Sequence, residues 1–396
     1  MNQSLHTVVE YYKKGVAKLK RIAYKTEDPV YNVFHQQYTR NALLSYITSP
    51  FKLGISYRHN NTLSVQEIAK ILGSLGYNVD VIDYKDQRSY SYEKYDLIIG
   101  FGEPFAASYP KNGHAIRVFY GTTMTPAKHN QFAIMQLQAF HKRHHVWLTE
   151  SARIEEKMFS LQVQAVNAIV MYGNKLVQDS YQEIFSGPIY RLHNINFVFR
   201  PTETVTAVKK NWDLARKKFC MFPAAGMIHK GVDIVLDLFS KHLEWELYLG
   251  APITREPRFM AIYQNILSLP NIHFQGFVDM STPAYWNILD ECGFFLSPSA
   301  AEGCPTSVVN ACTNGKVIPI ATSRSGLEPS SYNIPIREIT EESLEQAIKT
   351  AQTFSNKELE TKSLDAHHYY YTAHSKEAYQ KELIGALTKI LAASKV

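Results

Sequence analysis

Residues 293–314 read GFFLSPSAAEGCPTSVVNACTN, and this stretch decides how the second half of the chain folds. Its apolar start, 293–296, predicts a buried strand, and 307–313 predicts a helix. Between them lies one carboxylate, Glu302, followed by a glycine and a proline. Backbone N–H groups at a helix start bind phosphate oxygens without any basic side chain. The carboxylate ahead of them can accept hydrogen bonds from two neighbouring sugar hydroxyls. The stretch therefore predicts either a site for a sugar joined to a diphosphate or an ordinary tight turn.

Composition is typical of a globular protein with two domains. The 396 residues exceed one ordinary core, and 45% of them are hydrophobic and 20% charged. A net charge of +6 is mild for this length and does not indicate a nucleic-acid partner. The four cysteines form no C-x-x-C pair, which predicts reduced thiols in a cytoplasmic protein. No apolar run is long enough to cross a bilayer, and residues 1–12 lack the core of a signal peptide.

Residues 8–25 combine apolar side chains at helical spacing with a cluster of basic ones. Such a segment can rest on an anionic membrane surface, which would make the protein peripheral to a membrane. A helix packed on the first domain, with its basic face in water, explains the same pattern. Both interpretations stay open, and the second needs no lipid.

Short apolar strands alternate with helical stretches through most of the chain, which predicts an α/β fold with parallel sheets. We expect two Rossmann-like domains with an interdomain cleft, because two open α/β domains joined by a linker usually leave a cleft between them. Ligands of such sheets bind beyond the carboxyl ends of the strands. Pro201, three threonines and mixed charges interrupt the alternation and predict a linker. The predicted parts are an N-terminal helical extension at 1–50, a first domain at 51–198, a linker at 199–216, a second domain at 217–373 and a C-terminal helix at 374–396.

The predicted strands of the first domain are 51–57, 77–83, 96–100, 116–120, 145–148, 168–172 and 189–192. Those of the second domain are 217–222, 245–250, 271–274, 293–297 and 317–321. The predicted helices of the second domain are 232–243, 257–269, 281–290 and 307–313, and a last amphipathic helix is predicted at 375–393. In the first domain, Ser64 and Glu67 fit a capping box that opens a helix over 64–75.

Three loops of the second domain follow predicted strands, where a shared ligand would lie. The first, 224–231, reads AAGMIHKG, and its Lys230 stands at the next helix start, where it can neutralise a phosphate. A solvated lysine explains that position equally well. The second loop contains Gly250. The third, 275–279, reads QGFVD, and its backbone either flanks a nucleobase or forms an ordinary turn.

Taken together, residues 217–326 resemble the nucleotide-sugar half of glycosyltransferase family 4, retaining enzymes of the GT-B fold. The resemblance lies in the order and spacing of HKG, NIHFQGFVD, CGFFLSPSAAEGCP and SVVNACTNGKVIPIATSRSG. The first domain matches in architecture more than in motif. The family implies a metal-independent hexosyltransferase without a cofactor. Its donor would be a UDP- or GDP-sugar, with mannose one candidate, and its acceptor a glycan or a lipid-linked molecule.

The family also implies roles for matching residues. Lys230 would contact the donor diphosphate, and Glu302 the hydroxyls of the donor sugar. Charge that develops on the leaving nucleoside diphosphate must be stabilised, and Lys230 and the helix amides can do so without a metal. At Gly226 and Gly250 the backbone can approach the ligand, and Phe277 and Val278 would lie near the base. The residues expected along the sugar are Gly303, Cys304, Pro305 and Thr306. Ser307 and Val308 would bind the phosphates.

Three positions depart from the family pattern. Asn310 stands where the family has a second glutamate for the ribose, and an amide lacks the charge that makes such bonds roughly twice as strong. Alanines occupy 224–225, where the family has an arginine. The glycine-rich loop after the first strand is replaced by a segment that includes Arg58, His59 and Asn60. Arg58 or His59 is therefore a candidate for the missing phosphate contact.

Members of the family often carry a histidine near the reacting carbon. His129, in the loop after 116–120, and His59 are the two candidates, and His129 is the one we predict to be catalytic. The departures leave two alternatives beside hexosyl transfer. One is a GT-B-fold sugar-nucleotide epimerase, and the other is a non-catalytic subunit that binds a nucleotide sugar.

Overall fold

The structure is a computed structural model that describes residues 27–155 and 159–394. The basic segment 8–25 and its proposed membrane contact therefore lie outside the described residues. The chain divides into two compact units that meet in sequence between Phe119 and Tyr120. The predicted linker, 199–216, falls within the second unit, and the predicted domain boundaries stay a prediction.

The first sheet contains six strands in the order β2-β1-β3-β4-β5-β6. The pairs β1–β2, β1–β3, β3–β4 and β5–β6 are parallel. The strands are β1 Arg40–Tyr46, β2 Tyr77–Asp83, β3 Leu97–Gly100, β4 Ile116–Gly121, β5 Ala168–Tyr172 and β6 Ile189–Leu192. The helices up to β6 are α1 Pro50–Leu53, α2 Asn61–Ser74, α3 Glu103–Ala107, α4 Pro126–His144, α5 Phe159–Gln164 and α6 Lys175–Gln182.

The second sheet also has six parallel strands, in the order β12-β11-β10-β7-β8-β9. They are β7 Lys218–Met221, β8 Glu246–Leu249, β9 Ile272–Phe274, β10 Phe294–Ser297, β11 Ile318–Thr322 and β12 Ile334–Ile336. The remaining helices are α7 Thr202–Thr206, α8 Trp212–Ala215, α9 Val232–Phe239, α10 Pro257–Tyr263, α11 Pro283–Glu291, α12 Thr306–Asn314, α13 Glu341–Thr353, α14 Asn356–Ala373 and α15 Lys376–Ala393.

The strand order of the second sheet reverses between β7 and β10. From β7 the chain adds strands in one direction, and from β10 it adds them in the other. In open α/β sheets, ligands bind beyond the carboxyl ends of the strands at such a reversal. The loops after β7 and β10 are the ones in which the sequence places Lys230 and Glu302.

The predicted α/β architecture and most predicted strands are confirmed, but the secondary structure predicted up to residue 57 is wrong. The sequence predicts a helical segment over 1–50, whereas 40–46 form β1. The predicted strand 51–57 is instead α1 and a loop, where Gly54 has φ +78° and Tyr57 is 48% exposed. A short apolar run fits a buried strand or a buried helix equally well, so periodicity cannot separate them.

Two further predictions fail for local reasons. Residues 145–148 form no strand, because α4 continues to His144 and ends at His145 in the left-handed conformation. The predicted capping box does not open α2, which begins at Asn61, so Ser64 lies buried inside the helix. Strand β12 was not predicted.

The core of the second unit extends beyond its sheet. Leu137 and Phe140 of α4 pack in the same buried cluster as Phe219 of β7, Val235 of α9 and Phe294 of β10. Helix α4 is therefore built into the core beside the strand reversal. In the described ranges, no helix is both long and apolar enough to cross a membrane.

Lys210 anchors the segment between α7 and α8. Its amino group donates hydrogen bonds to the carbonyl oxygens of Leu289 at 2.8 Å, of Lys316 at 2.6 Å and of Cys292. These carbonyls lie near the ends of α11 and α12, where the helix itself supplies no donor. One ammonium group thus bonds three backbone carbonyls from two neighbouring segments.

We expect Lys210→Met to lower the free energy of unfolding by about 3 kcal/mol, because buried acceptors without partners are costly. Urea denaturation measures the change. Lys209→Met is the control, since Lys209 is exposed and a surface change of this kind stays within about 0.5 kcal/mol. Equal stability of the two variants would contradict the assignment.

Candidate functional site

The loops after β7 and β10 are joined by an ion pair between Lys230 and Glu302. The amino group of Lys230 contacts Oε1 of Glu302, and the two side chains are only 11% and 12% exposed. The Glu302 N–H donates to the carbonyl of Arg324 at 2.9 Å, and the Ala300 N–H donates to the carbonyl of His229 at 2.8 Å. The carboxylate is therefore held by its own backbone as well as by its partner.

Burial and charge act against each other in this pair. Burial has the largest single effect on the pKa of Glu302 and raises it. The charge and hydrogen bond of Lys230, together with His229 and Arg153, outweigh burial and lower the pKa to about 2. Burial also lowers the pKa of Lys230, and the Glu302 charge opposes that change. The carboxylate is ionised at neutral pH, so the site presents an anionic acceptor and a cationic donor side by side.

Glu256 shapes the loop that carries Lys230, and no sequence pattern predicts this role. Its Oε1 accepts the N–H of Gly226 at 2.6 Å, and its Oε2 accepts the N–H of Met227 at 3.1 Å. The hydroxyl of Ser151 donates to the same carboxylate. Glu256 is only 4% exposed, and no motif surrounds it, because its partners are backbone amides about thirty residues away. This carboxylate is structural.

Gly303 lies where three other backbone segments come close. A Cβ on Gly303 would lie 2.3 Å from the carbonyl oxygen of Thr122, in the loop after β4. A Cβ on Gly173 would lie 2.4 Å from the Gly303 oxygen, and one on Gly326 only 1.7 Å from it. Side chains at these glycines would push the Glu302–Gly303 loop out of place.

His129, predicted to be catalytic, stacks on His229 with ring centroids 4.8 Å apart. His129 Nε2–H donates to the carbonyl of Arg153 at 3.0 Å, and Nδ1 lies 3.2 Å from the hydroxyl of Thr123. His229 Nε2–H donates to the carbonyl of Ala301 at 2.8 Å. Burial lowers the pKa of both rings, so both are neutral at physiological pH. The structure brings His129 to the site's edge, and its catalytic role stays a prediction.

Asn310 is fully buried, and its side chain holds the chain segment before α7. Its Oδ1 accepts the N–H of Phe197 at 2.8 Å. One turn later, Oδ1 of Asn314 accepts the N–H of Phe199 at 2.7 Å. The direction in which a buried helix points an amide could not be predicted from spacing. In this arrangement Asn310 packs against protein backbone, and its ribose contact stays a prediction.

The loops after β7, β8 and β9 meet beside the strand reversal. A Cβ on Gly250 would lie 2.5 Å from the ring of Phe222 and 2.9 Å from the side chain of Val278. Phe277 is 44% exposed. The structure therefore brings Gly250 and Val278 together, and their contact with a base stays a prediction.

Helix α12 begins at Thr306 after Pro305. The N–H of Val308 donates to the Pro305 carbonyl at 3.1 Å, so this amide is bonded within the turn. The amides of Thr306 and Ser307 precede it, at positions that lack intrahelical acceptors. The carbonyl of Cys304 accepts a hydrogen bond from Asn194 at 3.1 Å. Of the two amides predicted to bind phosphate, that of Val308 is already bonded to Pro305, and the phosphate contacts of both stay a prediction.

Arg58, His59 and Asn60 belong to the first unit. Asn60 is buried at the start of α2, and His59 Nδ1 accepts the N–H of Asn61 at 3.2 Å. Their role toward a ligand stays a prediction. In the described part of the chain, no group of three or more His, Cys, Asp or Glu side chains is arranged to hold a metal.

No family model matches the chain. No curated protein matches it either. Among solved structures, sucrose-phosphate synthase from Thermosynechococcus elongatus matches with a TM-score of 0.61 and 11% identity, over 90% of this chain and 100% of that one. The α,α-trehalose-phosphate synthase (UDP-forming) from Burkholderia vietnamiensis gives 0.62 and 8%, over 91% and 99%. HepE of Anabaena, in complex with UDP and glucose, gives 0.56 and 12%, over 89% and 100%. These likenesses confirm the predicted GT-B fold.

We expect Gly326→Ala to lower the free energy of unfolding by at least about 2 kcal/mol. Its φ of +81° disfavours any L side chain, and the new methyl would overlap the Gly303 carbonyl. Gly385→Ala in α15 is the control, because no atom lies within 4 Å of its Cβ position and alanine favours a helix. Thermal denaturation of both variants checks the prediction. Unchanged stability of the Gly326→Ala variant would contradict the close contact between residue 326 and the Gly303 carbonyl.

The buried histidines predict a pH dependence of stability. His129 and His229 have pKa values lowered below 6.5 in the folded protein, whereas the unfolded chain binds protons near 6.5. Stability is therefore lost as pH falls below 6.5. Between pH 6.5 and about 5, we expect the loss to be about 1–2 kcal/mol smaller in a His129→Asn/His229→Gln variant. Urea denaturation across this range checks it. The exposed control His368→Gln should keep the wild-type slope, and equal slopes for all three proteins would contradict the prediction.

Proposed function

We propose that the protein transfers a sugar from a nucleoside diphosphate sugar to an acceptor hydroxyl. The contact between Lys230 and Glu302 at the strand reversal carries this proposal. A carboxylate suits sugar hydroxyls, and an ammonium suits a diphosphate. The two lie together at the position where sheets of this type bind ligands.

Donor binding would exchange one set of partners for another. The Lys230 ammonium would turn from Glu302 to the diphosphate, and the freed carboxylate would accept hydrogen bonds from the sugar. As the glycosidic bond breaks, negative charge grows on the leaving diphosphate. Lys230 and the first amides of α12 would stabilise that charge, which would lower the barrier. We propose retention of configuration, which the family resemblance implies, and no metal is needed in this scheme.

Uridine is the base we propose first. HepE was solved with UDP and with UDP-glucose, and the trehalose-phosphate synthase is named UDP-forming. A GDP-sugar such as GDP-mannose is the second candidate. We propose a hexose as the transferred sugar and a glycan or a lipid-linked molecule as the acceptor.

We expect Lys230→Met and Glu302→Gln each to lower kcat/KM by about 10²–10³-fold, the loss typical of removing one group that stabilises charge in a transition state. UDP release from UDP-hexoses in the presence of mixed glycan acceptors provides the measurement. The control is the surface pair Lys241 and Glu341, where Lys241 is 62% exposed. Lys241→Met and Glu341→Gln should leave turnover unchanged.

The double variant Lys230→Met/Glu302→Gln separates folding from chemistry. Removing one partner of a buried ion pair costs about 3–5 kcal/mol of stability, because the other charge stays buried. The double variant should therefore be more stable than either single variant and still inactive. Turnover within threefold of wild type in the single variants would contradict the proposal. Binding of a UDP-sugar by the wild type without any turnover would favour a binding subunit instead.

A further inference from the structure

We propose that Arg153 binds the diphosphate of the donor and supplies the guanidinium that the loop 224–231 lacks. The proposal rests on the function proposed above and adds to it a ligand contact from outside the second sheet. Arg153 lies between α4 and β5, 77 residues before Lys230, so sequence spacing could not connect them.

The backbone around Arg153 is bonded to the site from two sides. Its carbonyl accepts the Nε2–H of His129 at 3.0 Å. Two residues earlier, the carbonyl of Ser151 accepts the N–H of His229 at 3.1 Å, and the Ser151 hydroxyl donates to Glu256. Residue 153 is thereby held next to the loop that carries Lys230.

The side chain of Arg153 lies along that loop. A Cβ built on Gly226 would be 3.4 Å from Cβ of Arg153 and 3.6 Å from its Cδ. Gly226 has φ +90°, a conformation that glycine adopts readily. The apolar stem of the arginine therefore packs over a glycine backbone of the loop that carries Lys230.

Arg153 adopts a backbone conformation that is unfavourable for its residue type. Its φ is +51°, in the left-handed region that glycine and asparagine tolerate better. Strain of this kind collects at ligand sites, where the surrounding structure holds it in place. A glycine would suit the backbone better, so the presence of an arginine here indicates a use for the side chain.

The charge of Arg153 acts on several groups of the site. The residue is exposed, and among the described residues no carboxylate forms an ion pair with it. Burial lowers the pKa of His129, and the Arg153 charge lowers it further. Burial is the main cause of the lowered pKa of Lys230, and the Arg153 charge lowers that pKa further. The Arg153 charge also lowers the pKa of Glu302. The guanidinium is therefore close enough to interact electrostatically with His129, Lys230 and Glu302.

A diphosphate fits this arrangement of charges. Lys230 and Arg153 are cations and Glu302 is an anion, so the three groups carry a surplus of one positive charge. The planar guanidinium can donate two parallel hydrogen bonds to phosphate oxygens, whereas an ammonium acts as a point charge. Arg153 would bind the phosphate, and Lys230 would stabilise the negative charge that develops on the leaving diphosphate.

The test compares UDP with uridine by titration calorimetry. In Arg153→Gln, UDP affinity should fall about 10- to 100-fold, the loss expected for a hydrogen bond between charged groups. Uridine affinity should not change, and Arg153→Lys should recover part of the loss. The control Arg255→Gln removes an exposed arginine next to Glu256 and should bind UDP as the wild type does.

Arg153→Gly distinguishes binding from structure. It relieves the backbone strain, so its unfolding temperature should rise while its UDP affinity falls. Wild-type UDP affinity in Arg153→Gln, an equal loss for UDP and uridine, or a loss seen only in Arg58→Gln would each overturn the proposal. Failure of the wild type to bind UDP, GDP or ADP would instead overturn the proposed function itself.

Discussion

The buried ion pair between Lys230 and Glu302 is the interaction on which the rest of the site depends. Two charges removed from water are costly unless their geometry is good, so the structure must hold both groups accurately. The partners are 72 residues apart in sequence. They meet only because β7 and β10 are neighbours at the strand reversal. A shift of either loop would leave an uncompensated charge, and the tight packing of both loops follows from that constraint.

The surroundings of the pair are built mainly from backbone contacts. Glu256 binds two amides of the loop before Lys230, while Gly173 and Gly326 let other segments approach Gly303. Such contacts hold a carboxylate and an ammonium in place without adding competing side chains. The proposed site thereby has two charged groups, Lys230 and Glu302, held between closely packed backbone segments.

The sequence predicted the architecture better than the details of the site. Strands β2, β5 and β6 have the predicted bounds, because a buried parallel strand is a short apolar run between turns. β1 was mistaken for part of a helix, since one short run fits both. Lys230 and Glu302 could be connected through their motifs and the strand ends. The contacts of Glu256, Asn310 and Arg153 could not be predicted in this way. Glu256 binds amides about thirty residues away, Asn310 binds the segment before α7, and Arg153 packs on the loop after β7.

A crystal structure of the protein with bound UDP would show directly whether Lys230 and Glu302 form the donor site. We predict that the diphosphate lies beyond the carboxyl ends of β7 and β10, with the Lys230 amino group moved from Glu302 to a phosphate oxygen. The freed carboxylate would then face the space for the sugar. UDP bound elsewhere, with the contact between Lys230 and Glu302 unchanged, would contradict the proposed donor site.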